Sequence, residues 1–268
     1  MAKQRIGGKA VYIRKNGTYK GQTTTTTTGI NATVNGYNTN KMIADYNGAV
    51  GDYDGNGNPA LQQWQQMNDA DIGHYLHDIY DNTDYANYDD GYTFYDNSFQ
   101  KFVLANNLNE PLTVMDDADF NAYVKATGQD VFYRGWSGKQ ASDRLANASN
   151  FHNGNGIYGD GIYIAKGDET TARAYGSYVN AYALSPNARV VDHSQVMSKI
   201  NSLPSKSQRA LSNAGGKRDA NRSYGTNDGE SQMALKMGYN VIRVDSYGGT
   251  YYVALTRDAL VQRKSKVK

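Results

Sequence analysis

Cysteine is absent from all 268 residues, which removes disulfides and thiolate chemistry and leaves the redox compartment open. Glutamate is nearly absent too. Only Glu110, Glu169 and Glu230 occur, so chemistry that needs a glutamate has few candidates. No apolar run approaches the ~20 residues of a membrane span, and the start carries no signal-peptide hydrophobic segment. The expectation is a protein made and kept in a cytosol, with no membrane partner. The formal net charge is only +2, which gives no strong electrostatic signal for nucleic acid. The basic end, Arg263 to Lys268, reads as solvated chain. Phenylalanine (6) is scarce beside tyrosine (23), and Asn and Gly are abundant. That balance points to many tight turns and a hydrogen-bonding surface.

The chain divides by pattern into an irregular N-terminal arm over 1–58, a helical lobe over 59–127, a strand-rich domain over 128–263 and a basic tail over 264–268. In the arm, Lys9 to Arg14 alternates as a strand, with Asn16-Gly17 as a hairpin signal before Tyr19. Six threonines, Thr23 to Thr28, and a Gly/Asn-rich run follow, read as irregular chain. Asp52 to Gly57 matches the opening of a calcium loop, but Gln63 stands where a bidentate glutamate belongs. An Asp/Asn/Gly turn is the plainer reading, and no metal is implied.

In the lobe, Asn68 or Asp69 caps a helix carrying Ile72, Tyr75, Leu76, Ile79 and Tyr80 on one face. His74 and His77, three apart, suit a metal pair only with further ligands; without them they read as polar-face histidines. Phe99, Phe102 and Val103 face inward on a helix from Asn97, and Asp116 caps another with Phe120, Tyr123 and Val124. From Gln129 the pattern becomes short strands with scattered helices: Asp130–Arg134, Ile162–Ala165, Tyr178–Leu184, Ala188–Val191, Val241–Val244 and Tyr251–Leu255. Helices are expected after Ser137, around 194–201 and 205–213, and over Glu230–Met237. This is an α+β arrangement rather than strict βαβ alternation.

The stretch Gly156 to Tyr175 concentrates the signal. Gly154-Asn-Gly156-Ile-Tyr-Gly159 is a literal GxGxxG, but a dinucleotide fold needs that pattern between a strand and a helix. Here polar residues precede it and a strand follows it, so the Rossmann reading fails on context. No nucleophile elbow supports a Ser/His/Asp hydrolase.

Tyr133-Arg134-Gly135, then GIYGDGIYIA, then Ala-Arg-Ala-Tyr175, with the closing strands GYNVIRV and TYYVALTRDALV, resembles the ADP-ribosyltransferase superfamily over about 128–263. It is similar both to the poly(ADP-ribose) polymerase and diphtheria-toxin branch and to the arginine-first toxins. The Asn/Tyr-rich arm also resembles bacteriophage-encoded proteins, which would place the chain in a host cytosol or on a virion. The resemblance implies a split β-sandwich that binds NAD+ as co-substrate, cleaves its nicotinamide–ribose bond and transfers ADP-ribose to an acceptor, most naturally a protein. It implies that Arg134 contacts ribose or phosphate, where a guanidinium fork suits the oxygens. Gly135 and Gly161 let backbone approach the ligand, and Tyr163 and Tyr175 sandwich the nicotinamide. Each residue also has a bland reading: a strand-end arginine, packing glycines, core tyrosines.

The family pattern includes a glutamate at the start of a late strand, and here that position reads Gly248-Gly249-Thr250-Tyr251, with no acid. Glu230 is the remaining glutamate, catalytic or merely a first-turn helix charge. Asp228 and Asp245 are shorter stand-ins. His152 and His193 are acid/base candidates, and the loop Gly215 to Asp228, with Lys217, Arg218 and Arg222, is a candidate recognition segment or a solvated loop. The missing acid keeps open a catalytically inactive descendant that binds NAD, a related nucleotide or a partner, and the threonine run and Tyr/Asn-rich arm keep open a structural or partner-binding protein, such as one of a virion.

Overall fold

In the computed structural model of the chain, the residues described are 59–80, 99–147 with brief gaps, 154–214 with brief gaps, 229–246 and 249–264, and five short strands before residue 39. Those first strands are β1 (Ala2–Ile6), β2 (Lys9–Ile13), β3 (Tyr19–Gly21), β4 (Thr33–Val34) and β5 (Tyr37–Asn38). β2 and β3 pair antiparallel, with Val11 opposite Gly21, while Asn16-Gly17 itself lies outside the described residues. β1 pairs with β2 on its other edge. The threonine run, Asp52 to Gly57, His152 and the loop 215–228 lie outside the described residues.

The helices are α1 (Pro59–Gln66), α2 (Ile72–Tyr80), α3 (Phe99–Ala105) and α4 (Asp117–Thr127). A 3-10 turn, Asp69–Asp71, precedes α2, and Asn68 caps it by accepting a bond from the Ala70 N–H at 3.0 Å. Asp116 caps α4 through Asp119 N–H at 2.9 Å, and Gly128 closes that helix in the left-handed conformation, as local sequence chemistry requires. Trp64 anchors the lobe. It stacks on Tyr75 at 5.0 Å, meets Phe102 edge-on at 5.5 Å, and its indole N–H donates to the Gln232 carbonyl at 2.9 Å. His77 departs from expectation: it is buried, because α2 is covered on that side.

The strands that follow are β6 (Thr113–Met115), β7 (Phe132–Trp136), β8 (Gly154–Gly156), β9 (Gly159–Lys166), β10 (Tyr178–Leu184), β11 (Val190–Asp192), β12 (Val241–Ser246), β13 (Gly249–Ala254) and β14 (Leu260–Arg263). The helices among them are α5 (Lys139–Asn147), α6 (Glu169–Ala172), α7 (His193–Asn201), α8 (Ser205–Ala214) and α9 (Glu230–Lys236). Among the described residues, one open mixed sheet runs in the order β11-β12-β13-β9-β7-β10-β14-β6, with β8 paired to β9 off this path. The two outermost pairs, β11–β12 and β14–β6, are parallel; the rest are antiparallel. The expected α+β class holds, and residues 113–115 add a strand to the region read as helical.

Paired residues share a sheet face and neighbours along a strand alternate. Tyr133, Ala181, Ala183 and Val261 therefore line one face of the β7-β10-β14 half, and Phe120 and Tyr123 of α4 cover them. Phe132, Tyr182, Leu184, Ile162, Ile164 and Leu260 point the other way, into the larger core. There the Phe132 and Tyr252 rings sit 4.7 Å apart, although two strand spacings, about 9–10 Å, separate their backbones. The rings lean toward each other across the strand that carries Ile164.

Buried polar groups carry the strand ends. Asn240 accepts from Arg189 N–H at 2.7 Å and donates to Asn187 O at 3.1 Å and to Thr256 Oγ1 at 3.2 Å, tying the start of β12 to the loops before β11 and after β13. A leucine of similar size would leave those groups unpaired inside the protein. Asn240→Leu is therefore expected to lower unfolding stability by about 2–3 kcal/mol, measured by urea denaturation at neutral pH.

Candidate functional site

The sheet forks where β7 meets β9. These strands pair at only two positions, Phe132↔Lys166 and Tyr133↔Ala165. Beyond them, Arg134, Gly135 and Trp136 stay with β10, while Ile162 to Ala165 stay with β13. Arg134-Gly135 thus stand on one prong and Tyr163 on the other.

The fork is held open by backbone packed on backbone. A Cβ on Gly135 would sit 2.1 Å from the Ala172 carbonyl oxygen, and one on Gly176 would sit 2.2 Å from the Trp136 carbonyl oxygen. Neither neighbour can move independently, so α6 and the 3-10 turn Arg173–Tyr175 lie directly on β7 only because both residues are glycine. Gly161 is packed similarly, with Val253 and Ala254 where its Cβ would be. Gly135 and Gly161 therefore have packing reasons to be glycine whatever binds. Gly135→Ala is expected to cost about 1–3 kcal/mol by thermal or chemical melt. Gly138→Ala, where nothing lies within 4 Å of the new carbon, serves as the matched control and should be near neutral.

Arg134 spans the gap between the prongs. Its guanidinium donates to the Tyr163 carbonyl at 3.4 Å and lies 4.2 Å over the Trp136 ring. Burial lowers its pKa, and the nearby Tyr182 and Tyr163 oppose that shift; an arginine stays charged regardless. Trp136 in turn donates its indole N–H to the Tyr182 hydroxyl at 3.2 Å. Alternation places Arg134 on the face of Ile164 and Trp136, opposite the face of Tyr163. The arginine and the tyrosine meet through a backbone carbonyl, not side chain to side chain.

Burial pushes the Tyr182 hydroxyl up to about 12, with the Trp136 bond and Arg134 pulling the other way. A folded-state value above the ordinary ~10 of an unfolded tyrosine means the native state retains a proton that the unfolded chain releases. That stability is complete below about pH 10 and is lost as pH rises through about 12. Between pH 9.5 and 11.5 the wild type is expected to lose about 2 kcal/mol more than Tyr182→Phe, read from urea melts at both pH values.

On the other face, Tyr163 and Tyr251 sit diagonally, since Tyr163 opposes Val253 and Tyr251 opposes Ala165. The Tyr163 hydroxyl accepts from Tyr158 N–H at 3.1 Å and donates to the Gly159 carbonyl at 2.7 Å, stapling the β8–β9 turn. Burial first, then Asp160, Glu230 and Tyr158, push that phenol well above its ordinary range, against the Tyr158 N–H. Tyr175 is 71% exposed, and its hydroxyl hydrogen-bonds that of Tyr251, whose pKa is raised by burial, by Tyr175 and by Tyr158. The expected pair, Tyr163 and Tyr175, thus belongs to a wider aromatic wall with Tyr158 and Tyr251.

Of the three glutamates, only Glu230 is buried, at 1% exposure. Glu169 is exposed and paired with Arg173 at 2.6 Å, and Glu110 is exposed beside Arg257. Glu230 opens α9 beside the β8–β9 turn, where Ser231 Oγ donates to the Asp160 carbonyl at 2.8 Å. One carboxylate oxygen, Oε1, lies 3.5 Å from His193 Nε2, while Oε2 is buried with no hydrogen-bond partner. The His193 ring packs edge-on to Tyr158, centroids 5.2 Å apart. Asp245, the other described stand-in, is exposed and engaged by Thr250 at 2.7 Å and Arg243 at 2.8 Å, and these bonds hold its carboxyl below the usual range, Thr250 foremost. The strand start Gly249-Thr250-Tyr251 carries no acid.

Sequence reasoning singled out Arg134, Gly135, Gly161, Tyr163, Tyr175 and Glu230. The structure puts the last three near one face of β9 and Arg134 on the far side of the fork. It adds Tyr158 and Tyr251, which a count of tyrosines could not separate from the rest. Among the described residues no group of three or more His, Asp or Glu could hold a metal ion, and no helix is long and apolar enough to cross a membrane. No protein-family model, curated protein or solved structure matches the chain.

Proposed function

We propose that the forked sheet is an NAD+ site and that the protein is a mono-ADP-ribosyltransferase of split β-sandwich type, transferring ADP-ribose to an acceptor, most naturally a protein. The observation that carries this reading is the divergence of β7 and β9 after Tyr133↔Ala165, with Arg134-Gly135 on one prong and Tyr163 on the other. That arrangement supports a ligand site at the fork, with the Arg134 guanidinium reaching the Tyr163 carbonyl from one face of the sheet and the aromatic wall on the other.

In this reading Arg134 binds ribose or phosphate oxygens through N–H groups not spent on Tyr163. Tyr175, exposed and placed beside Tyr251, closes over the nicotinamide, a stacking worth roughly 0.5–1.5 kcal/mol. The nicotinamide–ribose bond breaks with its electron pair leaving on the pyridine nitrogen, and positive charge develops at the anomeric carbon. Glu230 supplies the carboxylate that stabilises this charge and accepts from a ribose hydroxyl through Oε2. A nucleophile on the acceptor then bonds to the anomeric carbon and loses its proton to solvent water.

A second reading is favoured by the acid-free start of β13, where Tyr251 bonds Tyr175: a binding domain that holds NAD+ or another nucleotide without cleaving it. Incubation with NAD+ and measurement of released nicotinamide decides between them. Under the enzymatic reading the wild type releases nicotinamide and Glu230→Gln lowers kcat by about 10²–10³-fold, the size typical of a lost charge-stabilising group. Arg134→Ala raises KM or abolishes turnover. Binding by calorimetry without release favours the second reading, and neither binding nor release discards both.

A further inference from the structure

His193 is the one described titratable side chain whose imidazole nitrogen approaches Glu230, and the two come from different elements. His193 is the first residue of α7, directly after β11, and Glu230 is the first of α9. Nε2 and Oε1 are 3.5 Å apart, an ion-pair separation, and Nε2 is buried with no hydrogen-bond partner. The Tyr158 ring fixes the imidazole plane from the side of the β8–β9 turn. The remaining charged neighbours are already spoken for: Asp192 faces Arg243 at 3.8 Å, and the Tyr163 hydroxyl is spent on the turn. A buried carboxylate with one oxygen next to a lone donor and the other bare is not an ordinary helix-start charge, which would lie in water.

We infer that His193 is the positioning residue of this site: its Nε2–H donates to Glu230 Oε1 and so fixes the carboxylate with Oε2 turned to a hydroxyl-bearing ligand. This rests on the NAD+ reading for the identity of the ligand, a ribose diol, but not for the contact itself. The partition of labour is chemical. A carboxylate has two oxygens, and a donor that holds one sets the direction in which the other accepts. Burial makes the arrangement consequential, since a carboxylate rotated away from His193 would have neither oxygen partnered in a low-dielectric interior.

Two measurements test it. The long-range ¹H–¹⁵N spectrum of the wild type, with His193→Gln to identify the signal, is expected to show His193 protonated on Nε2. A proton on Nδ1 alone, with Nε2 bare, overturns the inference whether or not NAD+ is cleaved. In nicotinamide release, His193→Leu is expected to lower kcat about 10–100-fold, as loss of an orienting partner does, with KM for NAD+ little changed. His193→Gln, whose amide N–H can reach the same oxygen, restores most of that rate. In a Glu230→Gln background, His193→Leu adds nothing, because the pair acts as one unit. Equal loss in His193→Gln and His193→Leu, or full additivity with Glu230→Gln, overturns the inference. A protein with the expected tautomer but no nicotinamide release instead discards the proposed function and leaves the contact standing.

Discussion

The constraint on which the rest depends is the early end of pairing between β7 and β9. A sheet that continued its ladder past Tyr133↔Ala165 would bring Arg134 opposite Ile164 and Gly135 opposite Tyr163, and the two strands would not part. It does not continue: beyond that pair β7 keeps its register with β10 through Trp136, and β9 keeps its register with β13 back to Ile162. The backbone of α6 and its following turn then bears directly on Gly135 and Trp136. The Arg134 guanidinium takes up the Tyr163 carbonyl exposed by the split, so an acceptor that the missing strand pair would have satisfied is not left bare. The feature that makes the chain interesting chemically is thus also a local solution to a backbone problem.

The scarcity of glutamate sharpens the same point. With three in the chain, two on the surface and one buried, the buried one demands a reason, because taking a carboxylate out of water is costly. Glu230 has a neighbour in His193 at only one oxygen. Proteins that bury a charge for structure alone satisfy it more fully. Lys236, on the same helix, shows the contrast: its ammonium donates to the Trp64 and Met67 carbonyls and sits 4.0 Å from Asp69.

Strand and helix positions were legible from alternation and capping: β10 spans the residues expected, and Asp116 caps α4 as its side-chain chemistry dictates. The failure of GxGxxG as a dinucleotide loop was legible too, since β8 and β9 form a hairpin where a helix would be needed. Four things were not. Thr113–Met115 is too short to show a period, and it is a strand only because β14 offers it an edge. His77 looks like a polar-face residue until the burial of its helix face is seen. Most consequentially, Arg134 and Tyr163 lie on opposite sheet faces, a fact of register that no spacing along the chain discloses. His193 was one histidine among several; only the meeting of two helix starts singles it out.

The excess of tyrosine over phenylalanine has a structural logic in the folded chain. A buried phenol must find a partner, and here the hydroxyls land on groups that need one. Tyr123 donates to the Leu184 carbonyl at 2.7 Å, at the end of β10. Tyr182 receives the Trp136 indole N–H, Tyr75 donates to Asn106 at 2.8 Å, and Tyr163 closes the turn before its own strand. Each ring fills volume as phenylalanine would, and each oxygen fixes a segment that the short strands and sparse regular pairing leave underdetermined. The consequence for the site is direct. Tyr163 is locked at its hydroxyl and can offer only its ring, whereas Tyr175 is exposed and, among the interactions described, tethered through Tyr251 alone.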